Sequence, residues 1–240
     1  MIELKNISKA YLKNKKIIEN LNLTIKNGEI FGFLGPNGAG KTTTIKMITG
    51  IIKPSNGEVY IDGISIKEKP LEAKKNFSYV PDSPDMFLSL TGNEYLNFMA
   101  DMYDIPLKIR TERINNFATQ FEIIENLDQR ILEYSHGMRQ KIVLIGALLN
   151  DSNNLILDEP MVGLDPKAAY VLKKIMREYA NANKTVLFST HVLEIAEKIC
   201  DRVCIINKGE IIAIGTIDEI KQKFNNGTLE NIFLEITEDE

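Results

Sequence analysis

Residues 29–48 restrict the fold more than any other stretch of this chain. Glu29 to Leu34 reads as an apolar strand, residues 35–40 as a glycine-rich turn, and a helix follows from Lys41. A strand, a tight turn and a helix in that order belong to a layered α/β core. Residues 35–42, GPNGAGKT, fit G-x-x-x-x-G-K-[ST]. Gly35, Pro36, Asn37, Gly38, Ala39 and Gly40 are the loop. Gly38 and Gly40 let its backbone turn so that successive N–H groups point inward as an anion nest. The positive end of the helix dipole lies behind them. Lys41 then places an ammonium on β- and γ-phosphates, Thr42 offers a hydroxyl to Mg²⁺, and Thr43 reaches the α-phosphate. A plain strand-to-helix turn is the alternative; the strand before and helix after favour the phosphate loop. The motif alone does not separate a kinase, a GTPase and an ATPase.

The rest of the chain fills in the layers. Residues 2–7 and 17–25 read as strands, with Ile17, Leu21, Leu23 and Ile25 on the buried face of the second. EVYIDGISI is a hairpin turning at Asp62-Gly63, and FSYV, 77–80, a short strand stopped by Pro81. Between 83 and 149 the texture becomes helical: Thr91 and Glu94 make a capping box opening a helix through Asp101, and 107–126 and 138–149 carry helical spacing. LILD, 155–158, and TVLFS, 185–189, are strands flanking a helix capped by Asp165 with Pro166 at its first position. RVCIINKGEIIAIG is a second hairpin turning at Lys208-Gly209. Thr216 and Glu219 form another capping box, and the chain closes on an amphipathic helix with an acidic end.

Composition excludes several classes. A chain of 240 residues with 44% hydrophobic and 26% charged residues buries a full core. A net charge of −4 disfavours broad nucleic-acid binding. Cys200 and Cys204 read as buried thiols, too few for a disulfide scaffold. No apolar run is long enough to span a bilayer and no secretory leader is expected, so a reducing cytosol is the expected compartment.

LILDEP ends a strand in two acids. Asp158 suits Mg²⁺, held through water, and Glu159 can orient and activate an attacking water. An ordinary strand-to-loop Asp-Glu pair is the alternative, and the phosphate loop upstream favours the catalytic one.

YSHGMRQK, 134–141, lies between these two motifs. Read by itself it is a helix N-terminus capped by Ser135, with Gly137 exposing backbone N–H groups, a second anion site. It resembles the signature of the ATP-binding subunits of ABC transporters, usually LSGGQ followed by a basic residue and Gln. The chain resembles that family over nearly its whole length, in the branch paired with simple export-type (ABC-2-like) permeases. The resemblance implies an α/β fold: a P-loop NTPase (RecA-like) core with an antiparallel β edge subdomain and an inserted α-helical subdomain. It implies a single domain over 1–240, with 1–82 and 150–220 as the core with its β subdomain, 83–149 as the helical subdomain and 221–240 as a short C-terminal extension. ATP and Mg²⁺ are the implied cofactors.

The resemblance also assigns roles. Ser135, His136, Gly137 and Met138 would grip the γ-phosphate of ATP held by a second subunit, either an identical copy or a related one. Tyr11 matches the aromatic that stacks on adenine, His191 the switch histidine contacting the γ-phosphate, and Asp165 in GLDP the loop that communicates across the dimer. Three departures stand out: Tyr134 for Leu, His136 for Gly, and Met138 for Gln. The His136 ring could face solvent or phosphate. A larger departure is Asp82, where the family usually has Gln; direct contact with the metal and a position outside its ligand shell are both open. The implied activity is ATP hydrolysis driving a separate integral membrane permease, with export favoured. The subunit would sit peripherally on the cytoplasmic face of the membrane, and Met86, Phe87 and Leu88 are candidate docking residues that could equally pack inside the insert. No nucleic-acid partner is expected. A soluble relative acting on a non-transport partner is the alternative.

Overall fold

The computed structural model describes residues 1–12, 15–224 and 228–238, and for residues 11, 12, 15, 16 and 235–238 only the backbone. The chain opens with two long antiparallel strands, β1 (Ile2–Leu12) and β2 (Lys15–Ile25). Then come β3 (Ile30–Leu34), the phosphate loop and α1 (Lys41–Ile48). β4 (Asn56–Ile61), β5 (Ile64–Ser65), α2 (Pro70–Lys74) and β6 (Phe77–Val80) follow. The first antiparallel sheet has the order β2-β1-β4-β5. β1 runs beyond the expected 2–7 because irregular register lets it continue: Asn6 and Asn20 hold φ of 52° and 47°, and the pairing with β2 shifts repeatedly. The shift at Asn20 also moves the apolar face, so Ile18 is the fully buried residue and Ile17 only half-buried.

The next segment contains α3 (Gly92–Met102), α4 (Leu107–Gln120) and α5 (His136–Leu148). Thr91 and Glu94 form the expected reciprocal cap. α4 stops six residues short of the expected 126, because Glu122 takes φ 55° and turns the chain so that Phe121, Ile123 and Leu127 all enter the core. α5 starts at His136, two residues early, since Ser135 Oγ accepts from the Met138 N–H at 3.3 Å. These helices pack through Tyr95, Leu96, Phe121 and Leu144, and their apolar core continues onto the main sheet. Met86 and Leu88 pack against this core, whereas Phe87 is 42% exposed and stacks on Tyr95 and Phe98.

The chain then returns with β7 (Asn154–Leu157), α6 (Pro166–Asn181), β8 (Thr185–Thr190), α7 (Leu193–Ile199), β9 (Arg202–Asn207), β10 (Glu210–Gly215), α8 (Ile217–Lys223) and α9 (Leu229–Glu238). The main sheet has the order β10-β9-β3-β8-β7-β6, parallel throughout except for the β9–β10 hairpin. β3, β7 and β8 are buried along their whole lengths, which is why their sequences are apolar runs rather than alternations. Both hairpins turn where expected, with positive φ at Asp62-Gly63 and at Lys208-Gly209. α2 and α7 were not expected: each is a short helix burying a single alanine, Ala73 or Ala196, and so carries no readable periodicity. Cys204 is buried as expected but Cys200 only half-buried; burial pushes both thiols well up, and both are free. No helix among the described residues is long and apolar enough to cross a membrane.

Candidate functional site: a phosphate cleft at the strand ends

β3, β6, β7 and β8 are parallel, so the loops after all four emerge at one end of the sheet, where open α/β folds bind ligands. The loop after β3 is held from below. The Gly209 N–H donates to the Ala39 carbonyl at 3.0 Å, and a Cβ on Gly35 would land on the Ile206 carbonyl oxygen. Gly40 needs its absent side chain for two reasons: its φ is +108°, and a Cβ would come within 2.5 Å of Ile18. A cleft of about 380 Å³ opens above this loop. Pro36, Asn37, Gly38, Gly40, Lys41, Thr42 and Thr43 line it, joined by Asp82 after β6 and Glu159 after β7.

Lys41 is buried, and its Nζ donates to the Gly35 carbonyl at 2.7 Å and the Pro36 carbonyl at 3.3 Å. Burial lowers its pKa, opposed by Glu159 and Asp158. Glu159 Oε1 is 3.7 Å from Lys41 Nζ, and Oε2 is 3.0 Å from His191 Nδ1. Glu159 holds φ 49°, a conformation costing an L-residue about 1–2 kcal/mol. It is pinned there by its N–H donating to Ser189 Oγ at 2.9 Å.

Asp158 is fully buried beneath the cleft. Its N–H donates to the Val80 carbonyl, and its Oδ1 accepts from Ser189 Oγ at 2.6 Å. Burial raises its pKa; the Ser189 hydroxyl and the nearby Thr42 hydroxyl lower it, and Asp82 and Glu159 raise it further. Its Oδ2 has no hydrogen-bond partner, and neither does the buried Tyr79 hydroxyl, whose pKa Asp158 and Asp82 help to raise. An orphaned carboxylate oxygen with a hydroxyl near it suits a hard divalent cation. Among the described residues no three His, Cys, Asp or Glu side chains converge as a self-contained metal cage.

The other predicted positions lie elsewhere. Ser135, His136, Gly137 and Met138 form the start of α5 and do not line the cleft. The His136 ring packs against the backbone of Gly163. Asp165 caps α6, accepting from the Ala168 N–H at 2.9 Å, and its Oδ2 is 2.6 Å from Lys141 Nζ. That hydrogen bond to Lys141 is the main cause of its lowered pKa. Tyr11 lies on β1, and its side chain is outside the described residues. Two contributors escaped the sequence reading. Ile17 lines the cleft, and Ser189 ties both acids of the pair to β8. The signal for Ser189 was a hydroxyl at the end of the apolar run Val186 to Phe188.

The sequence profile of the family described as "ABC transporter" matches residues 18–162. The chain is 32% identical to the ABC-type transporter ATP-binding protein EcsA of Bacillus subtilis, over 100% of this chain and 98% of that one. It is 35% identical to Nod factor export ATP-binding protein I of Rhizobium meliloti, over 89% of this chain. It is 36% identical to an uncharacterized ABC transporter ATP-binding protein of Nostoc, over 88%. The chain spans 64% of the length of each of the last two relatives. Among solved structures, one described as the ATP binding subunit of an ABC transporter superposes with a TM-score of 0.94 at 32% identity, covering 99% of both chains. The ATP-binding cassette MJ0796, a dimer bound to ADP and Pi in a post-hydrolysis state, superposes with 0.80 at 26% identity, covering 90% of this chain and 98% of that one. The chain belongs to the ABC transporter family, as one of its ATP-binding, ATP-hydrolysing cassettes.

Proposed function

We propose that this cassette is the motor subunit of a transporter: two cassettes enclose two ATP molecules head to tail, and hydrolysis drives a separate membrane permease, in the export direction. The observation that carries the reading is the Glu159–His191 contact at 3.0 Å on the rim of the cleft that the phosphate loop lines. The loop's backbone N–H groups, Lys41 and the α1 N-terminus hold the triphosphate. Thr42 and Asp158, with Asp82 nearby, would hold Mg²⁺, which would neutralise charge on the phosphates when bound. Glu159 then accepts a proton from the attacking water as the water oxygen bonds to the γ-phosphorus and the bond from that phosphorus to the β–γ bridging oxygen breaks, so that ADP leaves. An ionised Glu159 is acceptor-only, so His191 Nδ1 is the donor in their contact and fixes the carboxylate's direction. Tyr11 stacks on the adenine.

Ser135 to Met138 lie outside the chain's own cleft and would offer an anion site at the start of α5. Such a site is used when a second cassette presents its γ-phosphate, and loss of that phosphate removes the contacts that favour the closed pair. The relative named for Nod factor export supports the direction, and the lack of a membrane-spanning helix among the described residues supports a peripheral subunit on the cytoplasmic face.

The test is Glu159→Gln. ATP should still bind, phosphate release should fall by about 10²–10⁴-fold, and light scattering should find a stable dimer in MgATP. Undiminished turnover would remove Glu159 from its role, and a solitary ATP-loaded species would remove the dimer.

A further inference from the structure

Only Val192 separates His191 from α7, so where this helix lies sets where the histidine stands. Val192 is tied back to the end of β8, its N–H donating to Thr190 Oγ1 at 3.0 Å. The sheet therefore fixes one side of the His191 corner and α7 fixes the other. By itself α7 is a poor anchor. Its 7 residues are too few for a helix to stand alone, and only Ala196 is buried. Arg177 holds its far end, Nη2 donating to the Ile199 carbonyl at 2.7 Å. Its placement near His191 depends on what covers it.

The C-terminal helices supply that cover. Leu193, Ala196 and Glu197 are spaced by three and four residues and so share one face of α7. Leu193 and Ala196 join an apolar cluster with Leu34 and Val203 of the main sheet and Leu229 and Ile232 of α9. Leu229 and Ile232 are fully buried there. Glu197 joins both C-terminal helices at one atom. Its Oε1 accepts from Lys221 Nζ of α8 at 3.0 Å and from the Leu229 N–H at the start of α9 at 3.3 Å. The first N–H groups of a helix have no partner within it, and a carboxylate beside them also meets the positive end of the helix dipole. α8 and α9 thus form a strap across α7, and Glu197 fastens it.

We propose that Glu197 is a positioning residue for hydrolysis: through α7 it holds the His191 ring against Glu159, which makes the C-terminal helices a working part of the hydrolytic site. The inference rests on the role proposed above for His191 and extends it to residues remote from the nucleotide. Glu197, Lys221 and Leu229 do not line the phosphate cleft. A loosened strap therefore leaves ATP binding intact and slows the step in which Glu159 takes a proton. The tolerance is small. His191 Nδ1 stands 3.0 Å from Glu159 Oε2, and a shift of about 0.5 Å takes such a contact out of hydrogen-bond range.

The test is a double-mutant cycle between Glu197→Ala and His191→Ala, with steady-state kcat and KM for MgATP measured in both singles and the double. Glu197→Ala should lower kcat about threefold to thirtyfold, the range of one coupling contact, while KM stays within about twofold. Glu197→Gln keeps an acceptor oxygen and should recover most of kcat. In the His191→Ala background Glu197→Ala should cost nothing further, because the residue it positions is gone. Amide hydrogen exchange over residues 192–196 should quicken in Glu197→Ala while β8 keeps its protection. Full kcat in Glu197→Ala, a loss carried by KM, no recovery with Gln, unchanged exchange, or an equal loss with and without His191 would overturn the strap. Lys221→Met, a change at the surface, gives a second reading if Glu197→Ala fails to fold: lowered kcat at constant KM supports the strap, and unchanged kcat overturns it. If His191→Ala itself keeps full turnover, it is the histidine's role that fails, and the strap's with it.

Discussion

Asp158→Asn separates the chain's stability from its function. The wild-type carboxylate is fully buried, satisfied at Oδ1 by Ser189 and orphaned at Oδ2, with Asp82 and Glu159 adding like charge. A buried charged group missing a partner costs about 1–3 kcal/mol. The amide keeps the Ser189 hydrogen bond and places a neutral donor where neighbouring carboxylates favour one. For a chain of this size each kcal/mol moves Tm by about 2–4 °C, so the ligand-free variant should melt about 2–12 °C higher. The sign with pH follows from the raised folded-state pKa. The folded protein holds the proton more tightly, so this group's contribution is most favourable near and below the unfolded value of about 3.9 and is lost as pH rises through the raised folded value. That part of the slope should vanish in the variant. With MgATP the variant's advantage shrinks, because the lost oxygen is the one proposed to hold the cation: a tenfold weaker affinity removes about 1.4 kcal/mol of ligand stabilisation. Thermal unfolding with and without MgATP between pH 4 and 8 reads all of this. A variant that melts lower without ligand, or keeps the full MgATP shift, would refute the reasoning.

Lys41→Ala should weaken ATP binding by about 10–100-fold by calorimetry, the worth of a charge-assisted contact; unchanged affinity would take Lys41 off the phosphates. Gly35→Ala drives a methyl into the Ile206 carbonyl on a central strand that cannot retreat, and should cost about 1–3 kcal/mol, seen as a lower Tm. An unchanged melt would mean that the loop base yields. With Cys204 buried, Cys200 half-buried and both pKa values raised, native protein should react with a thiol reagent far more slowly than unfolded protein; equal rates would contradict that protection.

The cleft was more legible than the strand edges. That Gly40, Lys41, Thr42 and Glu159 line one cleft could be read because short spacings place them, and a backbone that turns at fixed glycines leaves few places for the side chains that follow. The capping boxes at Thr91 and Thr216 and both primed hairpin turns were readable for the same reason. The end of α4 was not. Glu122 gives no local stop signal, and its turn is imposed by burying Ile123 beside Phe121, a choice made by the rest of the helical core. The buried face of β2 was misjudged for a similar reason: one irregular residue, Asn20, exchanges Ile17 for Ile18, and only the partner strand determines where register slips.

The sequence by itself determined the phosphate loop, the acid pair and the alternation of strands and helices that makes an α/β sheet, since each rests on contacts between near neighbours in the chain. Only the tertiary structure decided that Ser189 holds both acids, that Asp158 keeps one oxygen without a donor, and that α5 grips the segment beyond Glu159. Those contacts join residues about 20 to 30 positions apart. They exist because parallel strands bring their ends together at one edge, a convergence that packing creates and local spacing does not record.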